Sequence, residues 1–304
     1  MLVVALLLWL VGGFMGMSGV RSFLDTIGLD FVGDIPARAI SLLSYVATAF
    51  ILGHLYLFEK RLSWLSPVYI WVVSVMFFLH PDYMTALSVL PLVLTLAQIF
   101  YSCQEGADAR SVYGAFALLS FSSLFLLEYI YLLPPFLVFF LLSKASCLRG
   151  FFAALLGVIT PFWLLWGAEY LFPQAFWLTL PLKASYLNIV TPAAITLSPL
   201  MCFVLFMEAV VWLSAFIYFF GSSFPSKPLL RKRFMFLMLL NLYMWLLSWV
   251  VPQDFVLLLA WRLPGVAVMA SYLFAVKITK VSNILFVFIN VLWITIATWC
   301  LWIG

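Results

Sequence analysis

The residues best suited to chemistry are a few acids and two histidines set among long apolar runs. Asp25, Asp30 and Asp34 share one polar stretch, residues 19–36 (GVRSFLDTIGLDFVGDIP), and Asp82 lies in the short FLHPDY turn beside His80. Converging carboxylates can hold a divalent metal or serve as a general base toward an acceptor hydroxyl. On that ground Asp34, Asp82 and Asp30 are the candidate catalytic residues. His80 suits a phosphate when protonated. The pattern names no cofactor outright, and a divalent metal is the one it would accommodate. The same residues also suit plainer roles: residues 19–36 as an amphipathic connector at a membrane surface, and His80 as a cap on a helix end.

Cations are scarce on that side of the sequence pattern. Arg38, Lys183 and Arg262 are candidate contacts for an anionic lipid or polyprenyl-phosphate headgroup, and snorkelling at the interface explains each equally well. Glu208 stands apart from all of these. It lies deep within an apolar run, where a carboxylate is costly unless it is protonated, paired or facing water. It is therefore expected to point at other helices.

The elements that must position these groups follow from composition. The 304 residues are 67% hydrophobic and 9% charged, whereas a soluble domain carries roughly 25% charged residues. No water-soluble fold hides so much apolar area, and the runs recur at the spacing of successive bilayer crossings. The expected fold class is all-α: a polytopic transmembrane helical bundle forming a single domain over residues 1–304. About eleven spans are expected, near 2–18, 37–57, 64–80, 84–101, 112–127, 131–143, 151–167, 196–219, 235–251, 263–276 and 282–303. Glu128 and the pair Pro134 and Pro135 interrupt the fifth and sixth, which suits a broken or re-entrant hairpin. Residues 1–18 carry no basic residue ahead of the apolar run, so they are read as a retained first helix rather than a cleaved signal.

Numbering the loops alternately sorts the charges. One set holds Lys60, Arg61, Arg110, Lys144, Arg149, Lys227, Arg231, Lys232, Arg233, Lys277 and Lys280; the other holds only Arg21, Arg38, Lys183 and Arg262. The positive-inside rule puts the first set in the cytoplasm. The amino terminus is then cytoplasmic and the carboxyl terminus outside, in a bacterial inner membrane. The basic residues form no continuous face, which argues against a nucleic-acid partner. Membrane lipids are the expected neighbours. Cys103, Cys147, Cys202 and Cys300 are too widely spaced for a C-x-x-C site. There is no Walker A loop, no G-x-G-x-x-G, no H-E-x-x-H and no G-x-S-x-G, so nucleotide-driven pumping, zincin proteolysis and α/β-hydrolase chemistry lack support.

The stretch MFFLHPDYMTALSVLPLVLTLAQIF, following an acidic first outer loop, resembles the short outer turn and leucine-rich span of the GT-C superfamily of membrane glycosyltransferases. ALLSFSSLFLLEYIYLLPPFLVFFLLSK resembles the next hairpin of that family, a small-residue helix, a tight outer turn and a proline-led return. The resemblance covers residues 1–150, leaving 151–304 as additional transmembrane helices. It implies a role in envelope biogenesis and a polyprenyl-phosphate-linked glycan as substrate. The chain lacks an adjacent acid pair in the first loop and a large outer carboxy-terminal domain, so the resemblance implies either a GT-C-type glycosyltransferase or a degenerate, non-catalytic relative. In length and layout the chain is also similar to an uncharacterised family of bacterial polytopic inner-membrane proteins. Two other function classes fit the same pattern. One is a non-catalytic subunit of a secretion or export complex, with other inner-membrane subunits as partners. The other is a small-solute transporter, which the sparse charge within the spans disfavours.

Overall fold

The computed structural model describes residues 39, 43–48, 50–52, 83–102, 109–142, 148–171, 199–221, 228–251 and 254–276, with isolated positions 284, 287, 288, 291 and 295. Every described element is helical, and no strand occurs among the described residues. That choice suits a chain with helices apolar enough to cross a membrane. In hydrocarbon a backbone N–H or C=O finds no water, so each must be paired within its own segment.

The helices run α1 (Tyr83–Ser102), α2 (Ala109–Phe125), a 3-10 turn (Leu127–Leu132), α3 (Leu133–Leu142), α4 (Leu148–Leu171), α5 (Pro199–Gly221), α6 (Pro228–Val250) and α7 (Phe255–Val276). Proline opens both α5 and α6, where its missing N–H is one that the helix would leave unpaired anyway. Thr85–Ser102, Leu148–Ala168 and Arg231–Val250 are long and apolar enough to cross a membrane. At about 1.5 Å per residue, the shortest of these covers roughly 27 Å, close to the hydrocarbon thickness of a bilayer. The expected interruption near Glu128 is present. The chain turns extended at Leu126 (φ −133°, ψ 104°), passes through the 3-10 turn and resumes as α3, with Pro134 and Pro135 in its first turn.

The described helices cluster in two units, residues 1–90 with 194–304, and residues 91–193. In the second unit α2 packs on α4 by close backbone approach. A Cβ added at Gly157 would lie 2.6 Å from the Tyr113 carbonyl oxygen and 3.0 Å from the Ala117 nitrogen. The Ser120 hydroxyl donates to the Val158 carbonyl at 2.6 Å. Small residues that let backbones approach are the usual means of holding helices in lipid, where hydrophobic burial provides no drive. Phe100 meets Phe139 edge to face at 5.8 Å, and Phe116 meets Phe140 at 6.0 Å. The rest of α4 exposes Phe152, Leu156, Trp163, Leu164 and Trp166, a surface suited to acyl chains rather than water.

In the first unit α7 is the central helix. Trp261 to Ala270 are buried without a break, and a helix that is buried all round belongs inside a bundle. It packs on α5 and α6. The Trp261 indole donates to the Ser88 hydroxyl at 2.9 Å, and the Ser44 hydroxyl donates to the Ala86 carbonyl at 2.8 Å. Phe219 of α5 stacks on Phe234 of α6 at 5.4 Å, with the Arg231 guanidinium 5.7 Å from the Phe219 ring. Two helix starts differ from the sequence expectation. α6 begins at Pro228 rather than 235, drawing Arg231, Lys232 and Arg233 into its first turns. α7 begins at Phe255 rather than 263, so Arg262 lies within it.

Gly157 supplies a test of the α2–α4 contact. Gly157→Ala should lower the unfolding free energy by roughly 1–3 kcal/mol through overpacking against backbone. Gly167→Ala, whose Cβ would have nothing within 4 Å, should hold stability or raise it slightly, since alanine favours the helix. Reversible SDS-titrated unfolding of the two variants measures both; equal losses would show that the close approach does not hold the pair.

Candidate functional site

Two of the residues singled out by sequence, Glu208 and Arg262, are described, and the structure brings them together. The Arg262 Nε lies 3.0 Å from Glu208 Oε1, with side-chain exposures of 0% and 7%. Asp30, Asp34, Asp82, His80, Arg38 and Lys183 lie outside the described residues. So does the expected meeting of Asp34 with Asp82, together with the divalent metal that it would hold. Among the described residues no group of three or more His, Cys, Asp or Glu side chains converges.

The pair is built by three helices at one level. Glu208 stands nine residues into α5 and Arg262 seven into α7, while Asn241 stands nine before the end of α6. At 1.5 Å per residue these are depths of about 10–14 Å from the same end of the bundle. The short turn joining α6 to α7 sets that register; in it the Val251 N–H donates to the Leu247 carbonyl at 2.8 Å. Arg262 Nη1 donates to the Ser248 hydroxyl at 3.3 Å, and that hydroxyl donates onward to the Met244 carbonyl at 2.8 Å. Thus one guanidinium of α7 touches both neighbouring helices. The Nε–H is not aimed along the line to Oε1, and Nε makes no hydrogen bond, so the contact with Glu208 is chiefly electrostatic. Either charge alone at such depth is expensive, and opposite charges in contact offset that cost.

Arg262 thus differs from its sequence reading as an outer cation for lipid headgroups: it is fully buried in α7 and faces the carboxylate of α5. Pro252, Asp254 and Pro264 all look like helix breakers on either side of it. Pro264 instead sits inside α7, where packed neighbours can re-satisfy the backbone that proline leaves unpaired. Glu208 faces other helices as expected.

Beside the pair lies a cavity of about 260 Å³. Trp212, Leu213, Leu242, Trp245 and Val266 line it together with Glu208 and Asn241, and its surface is almost wholly apolar. Leu213 is 54% exposed and Trp245 37%, so the cavity opens on the apolar outer face of the three helices. Two buried acceptors there have no partner, Glu208 Oε2 and Asn241 Oδ1. Asn241 is held by its own Nδ2, which donates to the Leu237 carbonyl at 2.9 Å, and it crowds the bare Cα of Gly265 on α7. The Trp212 indole is fixed by a 3.2 Å bond to the Met238 carbonyl and by stacking on Phe216 at 5.3 Å. Sequence reading missed Asn241. The signal available was a lone amide inside LMLLNLYMW, polar where every neighbour is apolar or aromatic. Chemically the site is an ion pair and two unpartnered acceptors buried beside an apolar-walled cavity.

A double-mutant cycle tests the pair. Glu208→Leu and Arg262→Met should each cost roughly 3–5 kcal/mol, because each leaves an uncompensated buried charge, while the double variant should recover most of that loss. Unfolding in detergent reads all three proteins; strictly additive losses would show the two charges to be uncoupled.

No family model matches the chain, and no curated protein or solved structure is significantly similar to it.

Proposed function

We propose that the chain is a multi-pass bacterial inner-membrane protein of about eleven spans, amino terminus in the cytoplasm and carboxyl terminus outside, that handles an amphiphilic, lipid-borne substrate in envelope biogenesis. The observation that carries this reading is the Glu208–Arg262 pair beside a cavity opening on the apolar face of α5, α6 and α7. Charged groups within a spanning bundle mark a functional site by default, because their cost is otherwise unrewarded. An apolar-walled cavity that opens on an apolar face accepts molecules that travel in the bilayer rather than in water.

A polyprenyl-phosphate-linked glycan fits that description. Its prenyl chain would be drawn from the bilayer, while its phosphate and sugar stay at the outer boundary near Asp30, Asp34, Asp82 and His80. Arg38 and Lys183 would meet the phosphate there, and the acids would act on an acceptor hydroxyl or, in a degenerate relative, position the glycan without reaction. The second reading, a non-catalytic subunit of an export assembly, draws support from α4, of whose spanning window only 17% is buried. A partner's helices could cover that face.

Purification in mild detergent followed by native mass spectrometry separates the two readings. A polyprenyl lipid bound to the isolated chain is the expected result, and membrane proteins co-eluting in fixed proportion with no bound lipid would favour the subunit. Topology is tested in a cysteine-free background. Single cysteines beside Lys60, Arg110, Lys144 and Lys280 should resist an impermeant thiol reagent in intact spheroplasts, and one beside Lys183 should react. The reverse pattern would invert the chain.

A further inference from the structure

We propose that the start of α6 and the facing end of α5 form a seat for one anionic phospholipid, whose phosphate is held by Arg231 and Lys232 and whose chains lie along the outer faces of the two helices.

The charge of this helix pair is unbalanced. From residue 209 to residue 253 the sequence has four basic residues, Lys227, Arg231, Lys232 and Arg233, and no Asp or Glu. Glu208 is the one acid of α5, and it faces Arg262 near the other end of the bundle. The N–H end of α6 is itself electropositive and adds to the charge rather than relieving it. A counter-charge must therefore come from beyond α5, α6 and the loop between them.

Depth and exposure say what carries it. Arg231 opens the apolar window Arg231–Val250, 20 residues long. At 1.5 Å per residue that window covers about 30 Å, the hydrocarbon thickness of a bilayer, so Arg231 and Lys232 stand at its boundary, where lipid phosphates lie. Both are exposed, and they head a stripe that continues through exposed Met235 and Leu239. Steps of four residues keep Arg231, Met235 and Leu239 on one face of the helix. On α5, Phe216 and Phe220 are exposed and in contact at 4.6 Å. The stacking of Phe219 on Phe234 holds this end of α5 against the start of α6, and the Phe219 ring, 5.7 Å from the Arg231 guanidinium, orders that side chain without bringing negative charge.

Cations at the membrane boundary above an exposed apolar stripe match one kind of molecule. A phosphodiester can accept from the guanidinium fork of Arg231, with the Lys232 ammonium as a second charge, while its acyl chains cover Met235, Leu239, Phe216 and Phe220. A soluble anion would leave the stripe unused, and a neutral lipid would leave the charge unmet. Leu239 is eight residues from Arg231, about 12 Å, which keeps the seat within one leaflet of about 15 Å and short of Leu242 at the cavity. The seat is thus distinct from the cavity and from the reading built on it.

The test titrates the full chain in detergent with phosphatidylglycerol and with phosphatidylethanolamine of the same acyl chains, reading bound lipid by native mass spectrometry. One saturable phosphatidylglycerol site is expected, roughly 10- to 30-fold tighter than phosphatidylethanolamine, the factor that two cations supply. The double variant Arg231→Gln with Lys232→Gln should lose that preference. Arg149→Gln, which removes an exposed cation at the start of α4, should keep it. Equal affinity of the wild type for the two lipids would overturn the proposal by removing charge recognition. A loss in Arg149→Gln as large as in the double variant would overturn it by making the effect one of net charge, and displacement of the bound lipid by inorganic phosphate would overturn it by making the site one for a soluble anion. Should the double variant fail to fold, the lipid comparison and the phosphate competition on the wild type decide alone.

Discussion

Two opposite charges cannot be left apart in an apolar interior, and this constraint organises the helices around α7. A carboxylate on α5 and a guanidinium on α7 are each expensive at about 10–14 Å below the helix ends and tolerable only in contact. Their contact sets the relative depth and rotation of the two helices. Ser248 then ties the same guanidinium to α6. With three helices registered at one level, the rest of the packing follows: Asn241 meets the one position on α7 that has no side chain, Gly265. Trp261, one residue before the arginine, reaches the Ser88 hydroxyl. The breach left between the three helices is the cavity, and Glu208 of the pair lines it.

The unit containing α2, α3 and α4 coheres by a different means. There Gly157 admits the backbone of α2, and Ser120 reaches across to a carbonyl of α4. In water such an interface would be driven by removing apolar surface from solvent, but in lipid the alternative environment is equally apolar. Close contact and interhelical hydrogen bonds must then supply the attraction. This explains why α4 can leave most of its apolar side chains facing outward and still be held.

The cavity beside the pair is walled almost wholly by apolar atoms, and the indole of Trp212 in that wall is fixed by its bond to the Met238 carbonyl. Behind the wall Glu208 Oε2 and Asn241 Oδ1 are buried and unpartnered, as is Arg262 Nη2. Buried polar groups left unmade are costly, so the contact of the two charges carries most of the compensation this interior has.

The helices themselves were legible because helix formation in lipid is a local matter of apolar length. The fourth and seventh expected spans, 84–101 and 151–167, correspond to α1 and α4, and the break at Glu128 and Pro134 was visible as residues that a continuous helix cannot carry. The inward orientation of Glu208 was equally legible, since cost alone forbids the alternative. Its partner was not. Arg262 sits between Asp254 and Pro264, and each of these marks a helix end in isolation, so the run read as a boundary. Only the carboxylate of α5, distant in the chain, makes an arginine tolerable inside α7. The same holds for Gly157 and Gly265, two glycines with nothing local to distinguish them from Gly167, which meets no neighbour. Which face of one helix meets which face of another is settled by shape and charge across the bundle, so sequence determined the elements and their cost, and tertiary packing alone decided how that cost is met.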